Sequence, residues 1–204
     1  MLKDSVIDGI LAGGMVSVGG AVLLSCDNRY AGALLFAVAL LAICLMGFNL
    51  YTGKVGFLVN AHGKKELSVT GWGLLGNLLG TLAVGLLIRL ALPALAEAAA
   101  AACGKRLDQL WYGTLIRGFF CGILMYTAVW IFREKKTVAG IVYCIPVFIL
   151  AGFEHSIADM FYFALAGLFF TGKSIVFLLL VLVGNSLGGM CIPFLQSLKG
   201  GRNA

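Results

Sequence analysis

Charge is scarce in this sequence. Only 12% of its 204 residues are charged, whereas 61% are hydrophobic and the mean hydropathy is +1.01. A soluble domain of this length has no interior large enough for so much apolar surface, so the composition indicates an integral protein of a lipid membrane. The net charge of +6 is modest, and no basic cluster exceeds three residues. That distribution predicts no nucleic-acid partner.

Histidine and paired cysteine are also scarce. The six cysteines are scattered without a C-x-x-C pair, and the only histidines are His62 and His155. Metal sites normally use several Cys or His ligands at short spacing, so we expect no metal and no other cofactor. No cleavable signal sequence is evident. The chemistry of the chain must therefore come from a few polar side chains inside apolar segments.

Long apolar segments predict an all-α membrane protein with six transmembrane helices. Each is about as long as the roughly 20 residues that cross a bilayer. The predicted spans are residues 6–24, 30–48, 67–92, 110–132, 137–165 and 174–197. The fifth region holds 36 residues between two lysines, too few for two crossings and too many for one. It is therefore predicted to be one broken helix, and the alanine-rich segment 94–103 a short external helix or loop.

A Glu-His pair lies inside the fifth span. Between Lys136 and Lys173 the only charged residues are Glu154 and Asp159, and His155 follows Glu154 directly. Ionisable groups at bilayer depth usually face a pore, a cavity or a partner group. Non-helical backbone at that depth is tolerated only where protein buries it or water reaches it. The pair therefore predicts a conduit through the membrane with His155 near its middle.

The two halves of the chain resemble each other weakly. A Gly-Asn-x-Leu-Gly segment at residues 76–80 recurs at 184–188, and we assign it mainly to close helix packing. By a similar offset Thr52 corresponds to His155, which predicts a second helix break at residues 49–54. Three spans per half require the halves, residues 1–93 and 105–198 of a single domain (1–204), to be inverted repeats. Such folds place their broken helices against each other at the midplane.

These segments resemble the formate/nitrite transporter family. The resemblance covers nearly the whole chain, and its most specific part is Gly152-Phe153-Glu154-His155-Ser156, supported by Leu50-Tyr51-Thr52-Gly53 and both Gly-Asn segments. It implies an aquaporin-like protomer with its own pore, assembled as a homopentamer. Spans two and five would be broken, and a small monovalent anion would be the substrate.

The resemblance also implies roles for individual residues. His155 and Thr52 would face each other at the pore centre, with Glu154 buried beside them. The residues that would form apolar constrictions are Phe36, Leu40, Leu50, Tyr51, Met125 and Phe148. Basic residues of the vestibules would attract anions, and Lys54, Lys105 and Arg106 match these positions. Apolar rings would exclude hydrated ions, while a weak-acid anion could take a proton near His155, whose ordinary pKa is about 6.5.

Several substrates and one other class of function stay open. Formate is the default, with nitrite, acetate and lactate also small enough. Hydrosulfide is an alternative because Gly122 stands where the family has an asparagine, taken as a polar vestibule position. An intramembrane enzyme using Glu154, His155 and Asp159 is a remote alternative, because two histidines do not make a metal site. We therefore expect no catalytic residues.

Loop charges predict the orientation. With both termini in the cytoplasm, eight basic loop residues lie inside and five outside. This moderate positive-inside bias predicts a multi-pass protein of the cell's inner (plasma) membrane with cytoplasmic termini.

Overall fold

The computed structural model of the protein describes residues 2–61 and 63–199. His62 and Arg202, one of the eight basic residues predicted to lie inside, are outside these ranges. Helices make up most of the described chain. They are α1 (Leu2–Ser25), α2 (Arg29–Met46), α3 (Tyr51–Lys54), a 3-10 helix (Val55–Asn60), α4 (Lys64–Ala91), α5 (Pro93–Leu107), α6 (Trp111–Lys135), α7 (Ala139–Ala151), α8 (Ser156–Ala166) and α9 (Gly172–Ser197).

Five of these helices are long and apolar enough to cross a membrane. The pair α7 and α8 would make a sixth span if counted as one, because the two helices are bent by 56° across a short break. The all-helical membrane fold is therefore confirmed, and the count of six spans stays a prediction. The segment predicted at 94–103 is part of α5, which begins at Pro93, the residue best suited to a first helical turn.

Apolar side chains cover the outside of the helix bundle. Leu87, Leu90 and Phe170 are each more than 60% exposed, and many other large hydrophobic residues face outward with them. Such an apolar surface is suited to contact with lipid. The backbone polar groups beneath it are paired within the helices, as a bilayer requires. The centre is α8, in which every residue is buried. Its polar residues are therefore held in the interior of the protein and not at the lipid surface.

Glycines set the closest helix contacts. A Cβ atom at Gly80 of α4 would overlap the carbonyl oxygen of Ile10 in α1, and one at Gly188 of α9 would overlap the carbonyl oxygen of Phe119 in α6. The backbones of α1 and α4, and of α6 and α9, touch directly because these positions have no side chain. Both Gly-Asn-x-Leu-Gly segments lie in these contacts, as the packing interpretation of the sequence predicts.

Candidate functional site

Two helix breaks point into the core. Gly47 ends α2 and Gly152 ends α7, each with a φ of 74°, a left-handed conformation that glycine adopts without strain. After each glycine the chain runs through three non-helical residues, 48–50 and 153–155, before the next helix begins. The sequence pointed to a break at 154–155 and another at 49–54. The second one lies slightly earlier, between Met46 and Tyr51.

Two buried asparagines hold these breaks. Asn77 donates from its amide to the carbonyls of Gly9 and Asn49, at 2.8 Å each, and accepts from the backbone N–H of Tyr51 at 2.9 Å. An unpaired backbone group in a bilayer would cost several kcal/mol, so this side chain satisfies two groups at the break, the Asn49 carbonyl and the Tyr51 N–H. Its bond to the Gly9 carbonyl ties the break to α1.

Asn185 makes the same three bonds in the second half of the chain. It donates to the carbonyls of Gly118 and Glu154, at 2.8 and 2.9 Å, and accepts from the N–H of Ser156 at 2.8 Å. The sequence predicts mainly a packing role for both asparagines, and their bonds to the helix breaks are a finding of the structure. Their recurrence in the two Gly-Asn segments was the available signal.

The matching bonds correct one correspondence between the halves. Tyr51 and Ser156 are equivalent, because each gives its N–H to the asparagine of its own half. Counting back one residue, His155 corresponds to Leu50 and not to Thr52. Sequence alignment misplaced the offset by two residues, because the short α3 carries too little pattern to fix it.

Thr52 and His155 are nevertheless in direct contact. The Thr52 Oγ1 and His155 Nε2 atoms are 2.8 Å apart, and both residues are buried. His155 is also the N-cap of α8, where its Nδ1 accepts from the backbone N–H of Ala158 at 3.1 Å. Because Nδ1 accepts, a neutral ring carries its proton on Nε2 and donates it to Thr52. A proton on Nδ1 would break this cap and add positive charge at a helix N-terminus.

A cavity of about 650 Å³ opens on one side of this contact, and we call it the Arg106 cavity. Phe36, Phe148 and His155 line its inner part, and Phe148 stacks on the imidazole with ring centroids 5.8 Å apart. The charged residues of its wall are Arg29, Lys105, Arg106, Arg117, Glu154 and Asp159. Phe36 meets Phe148 edge-on, with 6.3 Å between ring centroids. These aromatic residues therefore lie next to the histidine, and their role in a constriction stays a prediction.

A second cavity of about 290 Å³, the Lys54 cavity, opens at the other end of the bundle. Leu40 and Leu50 line it, as does Val129, which the sequence analysis did not single out. Arg29 at the start of α2 lines the first cavity, and Gly47 directly after its end lines the second. The two cavities therefore lie toward opposite ends of an 18-residue helix, about 27 Å long. The Thr52–His155 contact thus separates two cavities at opposite faces of the molecule.

Two predicted constriction residues line neither cavity. The Tyr51 hydroxyl is 2.8 Å from Ser186 Oγ of α9, so this side chain is directed at a neighbouring helix. Met125 is buried in α6 with 2% of its surface exposed. Their role in a constriction stays a prediction.

Arg106 is paired with two carboxylates. Its Nε donates to Glu154 Oε2 and to Asp159 Oδ1, both at 3.0 Å, while its guanidinium lies over the Tyr162 ring. Gln109 donates to the other oxygen of Glu154 at 2.7 Å. Burial opposes the charge of Arg106, but the carboxylates outweigh it and raise its pKa above the ordinary value. The sequence predicted a basic residue able to attract anions, whereas here the charge is already offset.

Gly122 is not a vestibule residue in this structure. A Cβ atom at Gly122 would overlap the backbone oxygen of Asn185, so the residue lies in the α6–α9 packing contact. It lines neither of the two cavities. Gly122 was predicted to mark the loss of a polar vestibule side chain, which favoured hydrosulfide, and that placement of Gly122 is wrong.

Two broken helices, capped by buried asparagines and meeting between opposed cavities, define a membrane transport protein of the channel and transporter class. The family model described as Formate/nitrite transporter matches residues 2–197. The chain belongs to the formate/nitrite transporter family. Members of this family are transporters and channels and not enzymes.

Individual relatives show the same relationship. An uncharacterized transporter of Bacillus subtilis (strain 168), YrhG, is 33% identical over 177 residues, 78% of this chain and 66% of the relative. The nitrite transporter NirC of Escherichia coli (strain K12) is 28% identical over 177 residues, 76% of this chain and 65% of NirC. The matched part thus spans slightly less than two thirds of each relative.

A solved structure, a pentameric formate channel with formate bound, shares the fold. Its TM-score is 0.79 at 22% identity, and the match covers 97% of this chain and 96% of that one.

Proposed function

We propose that this protein passes small monovalent weak-acid anions, formate or nitrite first among them, through a pore within each protomer. The observation that carries the proposal is the 2.8 Å contact between Thr52 and His155, lying between two cavities at opposite ends of the molecule. Family membership and relatives named for formate and nitrite support the substrate class.

The path would run from the Arg106 cavity past Phe36 and Phe148 to His155, then past Leu40 and Leu50 into the Lys54 cavity. Apolar walls on both sides remove water from a passing ion, at a cost of several kcal/mol for a bare anion. The Thr52 hydroxyl and the His155 N–H at the centre offset part of that cost by donating hydrogen bonds to the anion. A hydrated cation meets the same apolar walls, and the Nε2–H of His155 offers it no lone pair.

In this proposal His155 acts as a neutral hydrogen-bond donor. Its Nδ1 is occupied as the cap of α8, and its Nε2–H turns from Thr52 to the passing anion. The alternative, drawn from the sequence, is that His155 exchanges a proton with the substrate. The geometry supports the neutral donor, because protonating the ring costs the cap.

His155→Asn tests the centre of the path. Asparagine is a good N-cap, so α8 keeps its first bond while the ring N–H is lost. Formate flux in liposomes should fall by about five- to thirtyfold, the equivalent of 1–2 kcal/mol of lost hydrogen bonding. The flux ratio of variant to parent should stay constant from about pH 5 to 7, around the ordinary histidine pKa.

Two outcomes would contradict the proposal in different ways. Undiminished flux in the variant would remove His155 from the path. A flux ratio that changes with pH would show that His155 exchanges a proton. Parallel flux measurements with nitrite, acetate, lactate and hydrosulfide identify the preferred substrate, and protein-free liposomes give the background for the neutral acids.

We further propose a homopentamer in the inner (plasma) membrane, with both termini cytoplasmic and the chain a single domain of two inverted halves. The pentameric assembly of the structurally similar formate channel supports the homopentamer, and the loop charges support the cytoplasmic termini. The matching bonds of Asn77 and Asn185 support the repeat. A native mass of another oligomer, or labelling of Lys199 from outside the cell, would contradict the assembly or the orientation.

A further inference from the structure

The two cavities differ in their charged residues. The wall of the Arg106 cavity carries the carboxylates of Glu154 and Asp159. Among the described residues, Lys54 and Arg133 are the only charged groups lining the Lys54 cavity, and both are cations. The carboxylate of Asp8 acts on Lys54 through space, but it is not part of the wall.

Neither cation of this cavity is neutralised by a direct partner among the described residues. Within residues 2–61 and 63–199, neither Lys54 nor Arg133 has a hydrogen-bonded or ion-paired acceptor. Arg133 is held instead by its flat face, with the guanidinium carbon 4.3 Å from the centre of the Phe57 ring. Phe57 in turn packs against Tyr126, with ring centroids 5.1 Å apart. Stacking fixes the plane of the guanidinium and leaves its N–H edge free to donate.

We propose that Lys54 and Arg133 together form a binding site for a small monovalent anion at this mouth of the pore. The site would hold the anion next to Leu50 and Val129, before the anion reaches Thr52. The inference rests on the proposed function for its role in transport, but the site itself can be detected without transport. A weak site suits a conduit, because tight binding would slow release.

A natural probe lies in the same cavity. Cys44 is a free, partly buried cysteine in its wall, whereas the similarly accessible Cys26 lies at the other end of the bundle. Two methanethiosulfonate reagents of similar size, one with a sulfonate and one with a quaternary ammonium group, measure the local charge. The ratio of their rates at one cysteine cancels its intrinsic reactivity. Peptide mass mapping gives this ratio at Cys44 and Cys26 in the same full-length sample.

We expect the ratio at Cys44 to favour the anionic reagent at about 10 mM ionic strength, where the Debye length is about 30 Å. Arg133→Gln and Lys54→Gln should each lower it about two- to fivefold, as for a partly exposed charge pair. Lys135→Gln is the matched control, because Lys135 lies on the same helix end over Trp130 and outside the cavity wall. Cys26 should not respond to any of the three variants, and about 1 M salt should abolish the effect.

Formate at increasing concentration should slow the modification of Cys44 in the parent and do so less in Arg133→Gln. Equal charge ratios in Arg133→Gln and Lys135→Gln, or no protection by formate, would overturn the site. The unchanged Cys26 rate in each variant shows that the fold is retained. If liposomes carry no anion while Cys44 still reports the site, the proposed function fails and the binding site stands.

Discussion

At the scale of single residues, the centre of the molecule depends on one pair of polar atoms. Thr52 and His155 come from α3 and from the end of the break before α8, more than a hundred residues apart in sequence. Sequence reasoning paired them through a family resemblance and an alignment of the halves. The pairing is present in the structure although the alignment was two residues off, because two opposed breaks bring their first helical turns together.

Thr52→Val should impair both transport and stability. Valine keeps the shape of threonine but removes the hydroxyl that accepts from the His155 Nε2–H, and a buried unpaired donor costs about 1–3 kcal/mol. Formate flux in liposomes should fall at least about fivefold, and thermal unfolding in detergent should begin at a lower temperature. Thr127→Val is the control, since that hydroxyl bonds to the Ile123 carbonyl within its own helix, α6. Equal effects of the two variants would show that the contact with His155 has no special role.

At the scale of the elements, hydropathy predicts the long helices well and the irregular segments poorly. Span 67–92 is observed as Lys64–Ala91, because an apolar run must be helical to cross lipid. The asparagine caps were missed because the direction of an amide depends on which backbone groups another helix presents. The pairing of Arg106 with Asp159 was missed for the same reason, as α5 and α8 are distant in sequence.

Gly80→Ala should separate α1 from α4. A methyl group there would overlap the Ile10 carbonyl oxygen, and backbone cannot move aside as a flexible side chain can. Overpacking of this kind costs about 1–3 kcal/mol or more. Gly71→Ala in the same helix is the matched control, because a Cβ there meets nothing within 4 Å. The measurement is the thermal midpoint in detergent, and an equal midpoint for both variants would contradict the assigned contact.

At the scale of the whole molecule, the two mouths of the proposed pore are electrostatically unequal. On one side a guanidinium is shared by two buried carboxylates, and on the other two cations face no carboxylate in the wall. Other cations, including Lys105 and Arg117, line the Arg106 cavity. The charge of Arg106 is thus largely offset by Glu154 and Asp159. Attraction of anions to this mouth therefore depends on the neighbouring cations.

Asp159→Asn should make the Arg106 mouth more attractive to anions. Asparagine keeps an oxygen for the Arg106 Nε while removing the Asp159 carboxylate, so the cavity wall loses at most one negative charge. Initial formate uptake into liposomes should rise about two- to fivefold at about 10 mM ionic strength and return to the parent rate at about 1 M salt. Asp108→Asn is the matched control, because Asp108 follows α5 directly but lies outside the cavity wall. If both variants transport at the same rate at low ionic strength, the second carboxylate does not govern the field that an entering anion meets.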